Sequence, residues 1–147
     1  MKERGLLDKV EIIEAEIFCD GASRGNPGDS GIGVVISLRD GTGREYRISE
    51  YIGVATNNVA EYSALIRGLE EARSLGVGSV NVFLDSELVV RQINGIYKVR
   101  NNNLRGLWSR ARDILMDFDS YVVKHVEREK NSDADALAGD AVTQKRR

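Results

Sequence analysis

Apolar and polar residues alternate along the first third of the chain, a pattern that is typical of half-buried β-strands. The alternation predicts three strands, over residues 12–20, 32–38 and 44–54. Residues 21–31 contain four glycines and the only proline of the chain, which predicts a turn region. The Asp40-Gly41 pair predicts a hairpin between the second and third strands. The first three strands are therefore expected to form an antiparallel meander.

The apolar period changes to that of an α-helix after residue 56. Apolar residues recur at helical spacing from Tyr62 to Ala72, which predicts a helix over residues 58–75, capped by Thr56 or Asn57. The remaining pattern predicts strands over 79–84 and 120–126, and helices over 87–94, 104–116 and 131–143. The order β-β-β-α-β-α-α-β-α predicts an α/β fold with a five-stranded mixed sheet, in which three antiparallel strands precede parallel ones and helices flank the sheet.

The composition is that of one globular domain. The chain has 147 residues, of which 41% are hydrophobic and 30% charged, and its formal net charge of −2 excludes a strong overall basic field. The single cysteine, Cys19, excludes a multi-cysteine metal site and is expected to be a core residue. We expect one domain over residues 12–143, an N-terminal extension over 1–11 and a basic tail over 144–147.

The sequence offers no sign of membrane insertion or export. No apolar run approaches the ~20 residues that a membrane-spanning helix needs. Acidic residues interrupt the N-terminal apolar stretches, which does not fit a signal peptide. We therefore expect a cytoplasmic protein with no membrane partner, and a monomer.

Two acidic residues come at the ends of predicted strands. Asp20 ends the first strand and Asp85 follows the fourth, and open α/β sheets bind ligands at the edge where parallel strands end. Neighbouring strands lie about 4.8 Å apart, so two such carboxylates repel each other unless a cation or a shared proton intervenes. Carboxylate oxygens suit Mg²⁺ or Mn²⁺, and the sequence therefore predicts a divalent metal site.

Two helical acids are candidates to join them. Glu61 lies in the expected first turn of the long helix and borders its apolar stripe, although a first-turn acid can simply complement the helix dipole. Asp135 lies beside expected buried positions of the last helix. Four acids at one edge would indicate metal-assisted phosphate chemistry.

Four segments resemble, in order, the motifs of ribonuclease H type 1. They are DGASRGNPG over residues 20–28, TNNVAE over 56–61, LDS over 84–86, and REKN over 128–131 followed by ADALA over 134–138. The resemblance covers about residues 12–143. It implies an RNase H-like fold and endonucleolytic hydrolysis of the RNA strand of RNA/DNA hybrids, which leaves 5′-phosphate and 3′-hydroxyl ends.

The resemblance also implies roles for individual residues. Asp20, Glu61, Asp85 and Asp135 would bind two Mg²⁺ or Mn²⁺ ions per active site. The residues that would contact the substrate are Gly21, Asn26, Thr56, Asn57, Asn58 and Ser86. Only RNA carries a 2′-hydroxyl, so strand choice requires a contact to that group.

The chain departs from many members of that family in two ways. The segment after the fourth strand is too short for the basic helix-and-loop insertion, although it keeps five cations, namely Lys98, Arg100, Arg105, Arg110 and Arg112. These cations form either a solvated helix face or a strip that follows phosphates. The auxiliary residue of the family is a histidine in a loop, whereas His125 falls inside a predicted strand. We favour Arg128 for that role and keep His125 as the alternative.

Two other functions are compatible with the same fold. One is a different nuclease or strand-transfer enzyme, which the first two motifs disfavour. The other is a non-catalytic hybrid-binding module, which the retention of all four acids disfavours. RNA/DNA hybrid is the expected partner, and cleavage of double-stranded RNA is left open.

Overall fold

The computed structural model describes residues 11–145. The extension expected over residues 1–11, apart from Glu11, lies outside the described residues, and so do the last two residues of the expected basic tail.

The described chain forms five strands and four α-helices in the predicted order. The strands are β1 (Glu14–Gly25), β2 (Gly28–Leu38), β3 (Glu45–Ala55), β4 (Ser79–Leu84) and β5 (Ser120–His125). The helices are α1 (Asn57–Ser74), α2 (Glu87–Ile93), α3 (Asn102–Leu115) and α4 (Ser132–Lys145), and a 3₁₀ turn (Arg128–Asn131) precedes α4. None of the helices within residues 11–145 is long and apolar enough to cross a bilayer.

The sheet has the expected mixed topology. Its strand order is β3-β2-β1-β4-β5, with β1, β2 and β3 antiparallel and β4 and β5 parallel to β1. Side chains of β1, β2 and β4 alternate toward a core that α1 covers, and Tyr62, Leu65 and Leu69 of α1 are fully buried there. The predicted fold class is confirmed.

The prediction of a turn region over residues 21–31 is wrong. β1 continues to Gly25 and β2 begins at Gly28, so only Asn26 and Pro27 form the tip of a hairpin. Glycine in this segment serves close packing, because a Cβ on Gly21 would lie closer than 3.0 Å to the α1 backbone and one on Gly31 would meet the α4 backbone. A pattern of glycines cannot distinguish helix–sheet contact from a turn.

Helix boundaries follow their capping residues. The Thr56 hydroxyl accepts a hydrogen bond from the Val59 N–H and begins α1 at Asn57, a contact worth about 1 kcal/mol. Asn101 caps α3, which therefore begins two residues before the expected Leu104.

The last helix is longer than expected, because α4 continues to Lys145. Lys145 lies 3.4 Å from Asp29 and 5.3 Å from the ring centre of Tyr51, and these contacts hold the final turn against the sheet. Gln144 and Lys145 are therefore helical and not part of a tail.

Candidate active site

Asp20 and Asp85 lie side by side where the parallel pairing of β1 and β4 ends. Cys19 pairs with Leu84 in the last register step, so the next residue of each chain segment is an aspartate. Asp20 does not end its strand as expected, since β1 runs on for five residues paired with β2 alone. The two carboxylates nevertheless reach the same edge, because the parallel ladder stops there.

Glu61 reaches this edge from the second turn of α1. The expectation of a first-turn acid is wrong, since the helix begins at Asn57 and its first turn holds no acid. The side chain is buried, with 6% of the residue exposed, and its Oε1 accepts a hydrogen bond of 2.6 Å from the Gly21 N–H. Gly21 can approach α1 this closely only because it lacks a Cβ. The position therefore serves the site and not the helix dipole.

The three acids form one cluster. Asp20, Glu61 and Asp85 each offer a carboxylate oxygen within 4.8 Å of the other two. Burial is the largest cause that raises the pKa of Asp20, followed by its hydrogen bond and charge contact with Glu61. Burial likewise raises the pKa of Glu61. Without a counter-charge, this cluster holds protons that free carboxyl groups would release.

The donor set fits a divalent cation. The second oxygen of Glu61, Oε2, is buried and has no hydrogen-bond partner among residues 11–145. An orphaned carboxylate oxygen inside a protein is costly unless a ligand or ion meets it. Oxygen ligands grouped in this way suit a hard cation such as Mg²⁺ or Mn²⁺.

Asp135 joins the cluster at its rim. It lies in the first turn of α4, and its side chain is 42% exposed. Asp135 is among the neighbours that raise the pKa of Asp20. The structure therefore brings together all four predicted acids, with three in the tight cluster and the fourth more open to solvent.

The two auxiliary candidates occupy different places. A guanidinium nitrogen of Arg128 lies 3.9 Å from an Asp135 oxygen, and its charge lowers the pKa of Glu61 against the effect of burial. His125 is the exposed last residue of β5 and pairs with Leu84, one residue before Asp85. Arg128 therefore has a defined contact with the acids, whereas His125 lies beside the edge.

Three of the predicted substrate residues line one cleft, and a fourth is bonded to it. The Asn26 side chain at the hairpin tip accepts a hydrogen bond of 3.0 Å from the Asn57 N–H, which joins the first two motifs. Asn26, Thr56 and Asn58 line a cleft of about 190 Å³. Gly21 and Ser86 make other contacts: the Gly21 N–H donates to the Glu61 carboxylate, and the Ser86 hydroxyl caps α2.

The residues of the opposite wall of that cleft were not predicted from the sequence. Asn101 and Asn103, at the beginning of α3, complete the cleft together with Val59 and Leu104. The signal was present as three consecutive asparagines over residues 101–103, but periodicity assigns no side-chain role to a helix start.

The five cations after α2 differ in their contacts. Arg110 pairs with Glu70, Arg112 lies over the Trp108 ring, and Arg105 donates to the Val99 carbonyl. Lys98 and Arg100, in contrast, make no ion pair with any of residues 11–145. The solvated-face alternative therefore describes Arg110, whereas Lys98 and Arg100 on the loop before α3 are two of the four cations without an ion pair among residues 11–145.

Comparison with known proteins agrees with this geometry. Residues 18–141 match a family model described as reverse transcriptase-like. The chain is 43% identical over 125 residues to the ribonuclease HI of Halobacterium salinarum, covering 85% of this chain and 62% of that protein.

Two solved structures are similar throughout the domain. One is the N-terminal RNase H domain of Rv2228c from Mycobacterium tuberculosis, with a TM-score of 0.83 and 41% identity, covering 88% of this chain and 98% of that one. The other is LC11-RNase H1 in complex with RNA/DNA hybrid, with a TM-score of 0.83 and 42% identity over 90% of this chain and 99% of that one. The chain spans only 36% of the full mycobacterial relative.

The sheet order, the hairpin and the acidic cluster define an α/β domain of RNase H-like architecture, with a group of carboxylates that fits a divalent cation. Within that class, the chain belongs to the ribonuclease H family, as a type 1 member. The loop between α2 and α3, residues 94–101, is short, so this member is compact. The motif resemblance noted in the sequence is confirmed.

Proposed function

We propose that this chain hydrolyses the RNA strand of RNA/DNA hybrids endonucleolytically and leaves 5′-phosphate and 3′-hydroxyl ends. The observation that carries the proposal is the cluster of three carboxylates within 4.8 Å, one of which, Glu61, lies on the same helix as residues that line the asparagine cleft. The acids suit phosphodiester chemistry, and the amides suit nucleic-acid edges and backbone.

Asp20, Glu61, Asp85 and Asp135 would hold two Mg²⁺ or Mn²⁺ ions. Such a pair of ions activates a water nucleophile and stabilises the leaving oxygen of an in-line displacement. Four carboxylates balance the combined charge of the two ions. The Gly21 N–H fixes one oxygen of Glu61, and the other, Oε2, is left without a hydrogen-bond partner among residues 11–145 and is available to a cation.

Asn26 would read the hybrid as a hydrogen-bond donor. Its Oδ1 is already occupied by the Asn57 N–H, so its NH₂ group remains for the substrate. A donor at this position suits an acceptor such as a minor-groove base edge or the oxygen of a ribose 2′-hydroxyl. The side chains of Asn57 and Asn58 would extend this contact along the strand.

The asparagine-lined cleft would take a backbone phosphate. The N-termini of α1 and α3 both lie at this cleft, where Thr56 and Asn101 cap them. Helix N-termini and amide NH₂ groups are suitable anion ligands. Lys98 and Arg100, on the loop before α3, would add charge nearby.

Arg128 would act as the auxiliary residue, with His125 as the weaker candidate. The Arg128 side chain is 80% exposed next to Asp135, so its guanidinium can bind a product phosphate and help the product leave. Arginine keeps its charge at every relevant pH, unlike histidine.

A substrate panel tests the proposal. Purified protein is incubated with RNA/DNA hybrid, duplex RNA or duplex DNA, in Mg²⁺, in Mn²⁺ or with chelator. We expect the RNA strand of the hybrid to be cut only with metal. Metal-independent binding without cutting would instead identify a hybrid-binding module, and cutting of duplex DNA would identify another nuclease of this fold.

The same panel shows whether duplex RNA is a second substrate. The expected monomer is tested by sedimentation, and the expected cytoplasmic location by cell fractionation.

A further inference from the structure

A pair of serines, one buried and one half-buried, lies behind the hairpin tip and has no part in the proposed chemistry. Ser30 of β2 is fully buried, and its Oγ lies 2.6 Å from the Oγ of Ser23 on β1, which is half-buried. Burying a hydroxyl is unfavourable unless it finds a partner. Their further partners therefore indicate what the pair does.

The pair joins the hairpin to the beginning of α1. The Ala55 carbonyl lies 3.1 Å from the Ser30 Oγ and 3.3 Å from the Ser23 Oγ. The Ser30 hydroxyl also lies 2.8 Å from the Gly28 carbonyl, just beyond the tip. Ala55 ends β3 and is followed at once by Thr56, the cap of α1.

The serine pair thus holds three strand ends together behind the substrate residues. The pairing of β2 with β3 shifts register between Ser30 and Gly31 before it continues to Gly28 opposite Ala55, so the serine pair lies at a corner where the ladder is locally irregular. On the other side of the corner, Asn26 accepts from the Asn57 N–H. That contact requires the hairpin tip and the α1 start to keep a fixed spacing.

We propose that Ser23 and Ser30 are positioning residues for substrate binding, which set the spacing between Asn26 and the α1 start without contacting substrate or metal. The inference rests on the proposed function only for the identity of the bound nucleic acid. Loss of the pair would loosen the Asn26–Asn57 contact and weaken hybrid binding. The acidic cluster would keep its geometry, because the Gly21 bond to Glu61 is separate.

The test uses Ser30→Ala and the double variant Ser23→Ala with Ser30→Ala. Ser49→Ala is the matched control, because the Ser49 hydroxyl also donates to a backbone carbonyl of another element, that of Leu137 at 2.6 Å. One net hydrogen bond is worth about 1 kcal/mol, so we expect the double variant to raise KM for hybrid about fivefold. We expect kcat to stay within about twofold and Ser49→Ala to leave KM unchanged.

A second readout needs no substrate. Amide hydrogen exchange of Asn57 in the free protein reports directly on the bond to Asn26, and we expect it to accelerate about fivefold in the double variant only. Unchanged Asn57 exchange in a folded double variant would overturn the inference. So would a fall in kcat with KM unchanged, or an equal rise of KM in Ser49→Ala. Failure of the wild-type protein to bind or cut hybrid would instead refute the proposed function, and the amide exchange would still decide the positioning role.

Discussion

The acidic site has a buried half and an exposed half that differ in how they are held. Asp20 and Glu61 are 4% and 6% exposed, and Glu61 is fixed by the Gly21 N–H. Asp135 and Arg128, at the rim, have side chains that are 42% and 80% exposed. The buried half is preorganised but electrostatically unfavourable without cations, whereas the rim is open to solvent. We expect the buried half to control metal binding and the rim to control turnover.

The largest expected effect comes from the buried half. Asp20→Asn removes a central charge of the cluster, and we expect hybrid cleavage to fall by about 1,000-fold or more, in the range of losses seen for preorganised electrostatic groups. The matched control is Asp133→Asn. Asp133 is an exposed residue of α4, the helix that also carries Asp135, and its carboxylate lies 3.4 Å from the Arg47 guanidinium. Cleavage rates under single-turnover conditions measure both. Comparable rates for Asp20→Asn and wild type would refute the metal assignment.

The pH dependence of stability is the second way to test the buried half. Burial raises the folded pKa values of Asp20 and Glu61 above the unfolded value of ~4, so the native state binds more protons in the window above pH 4. In chelator, the free energy of unfolding should therefore fall as pH rises from 5 to 8, by about 1.4 kcal/mol per pH unit for each proton released.

Divalent cations should abolish this fall in the free energy of unfolding with pH. Thermal melts at pH 5 and 8, with chelator and with Mn²⁺, measure the effect, and the Mn²⁺-induced rise in Tm should be larger at pH 8. Asp20→Asn should melt at a higher temperature than wild type at pH 8 in chelator. Equal Mn²⁺-induced rises in Tm at both pH values would show that the acids do not form the cluster described above.

The rim should give smaller changes. We expect Arg128→Ala to lower kcat about tenfold and His125→Ala about twofold or less, because a charge-assisted contact is worth about 1.5–3 kcal/mol at most. Neither change should alter the Mn²⁺-induced rise in Tm. Steady-state kinetics on hybrid measure the order of the two effects. A larger loss in His125→Ala would transfer the auxiliary role to the histidine.

The smallest effects concern the cations before α3. Lys98 and Arg100 are unpaired within residues 11–145, whereas Arg110 pairs with Glu70. We expect the double variant Lys98→Ala with Arg100→Ala to have a shallower slope of log affinity for hybrid against log salt concentration. The reduction should correspond to the loss of up to about two phosphate contacts. Arg110→Ala is the matched control and should leave the slope unchanged. Equal slopes in all three proteins would exclude this loop from the phosphate contacts.

The sequence predicted the parts of this molecule that depend on local periodicity. β4 has the predicted bounds, and the cap of α1 falls on one of the two expected residues. Asp85 was found because it follows a strand end, and the motif resemblance covers all four acids, although Asp20 does not end β1 and Glu61 lies in the second turn of α1. Parallel pairing then brings Asp20 and Asp85 together without further information.

What the sequence could not predict depends on long-range packing. The glycines after Asp20 indicated a turn, but they allow α1 and α4 to approach an extended hairpin. The cations after α2 left a solvated face and a phosphate-following strip open, and only the fold shows that Arg110 pairs with Glu70, forty residues away. The asparagines that begin α3 carry no pattern linking them to Asn26, because only the fold brings them to the same cleft.

Anomalous diffraction from crystals soaked in Mn²⁺ tests the central claim most directly. The account predicts Mn²⁺ peaks bridged by the carboxylates of Asp20, Glu61 and Asp85 in the wild-type protein, and their loss in Asp20→Asn. Saturating Mn²⁺ that leaves no peak among these three carboxylates would contradict it.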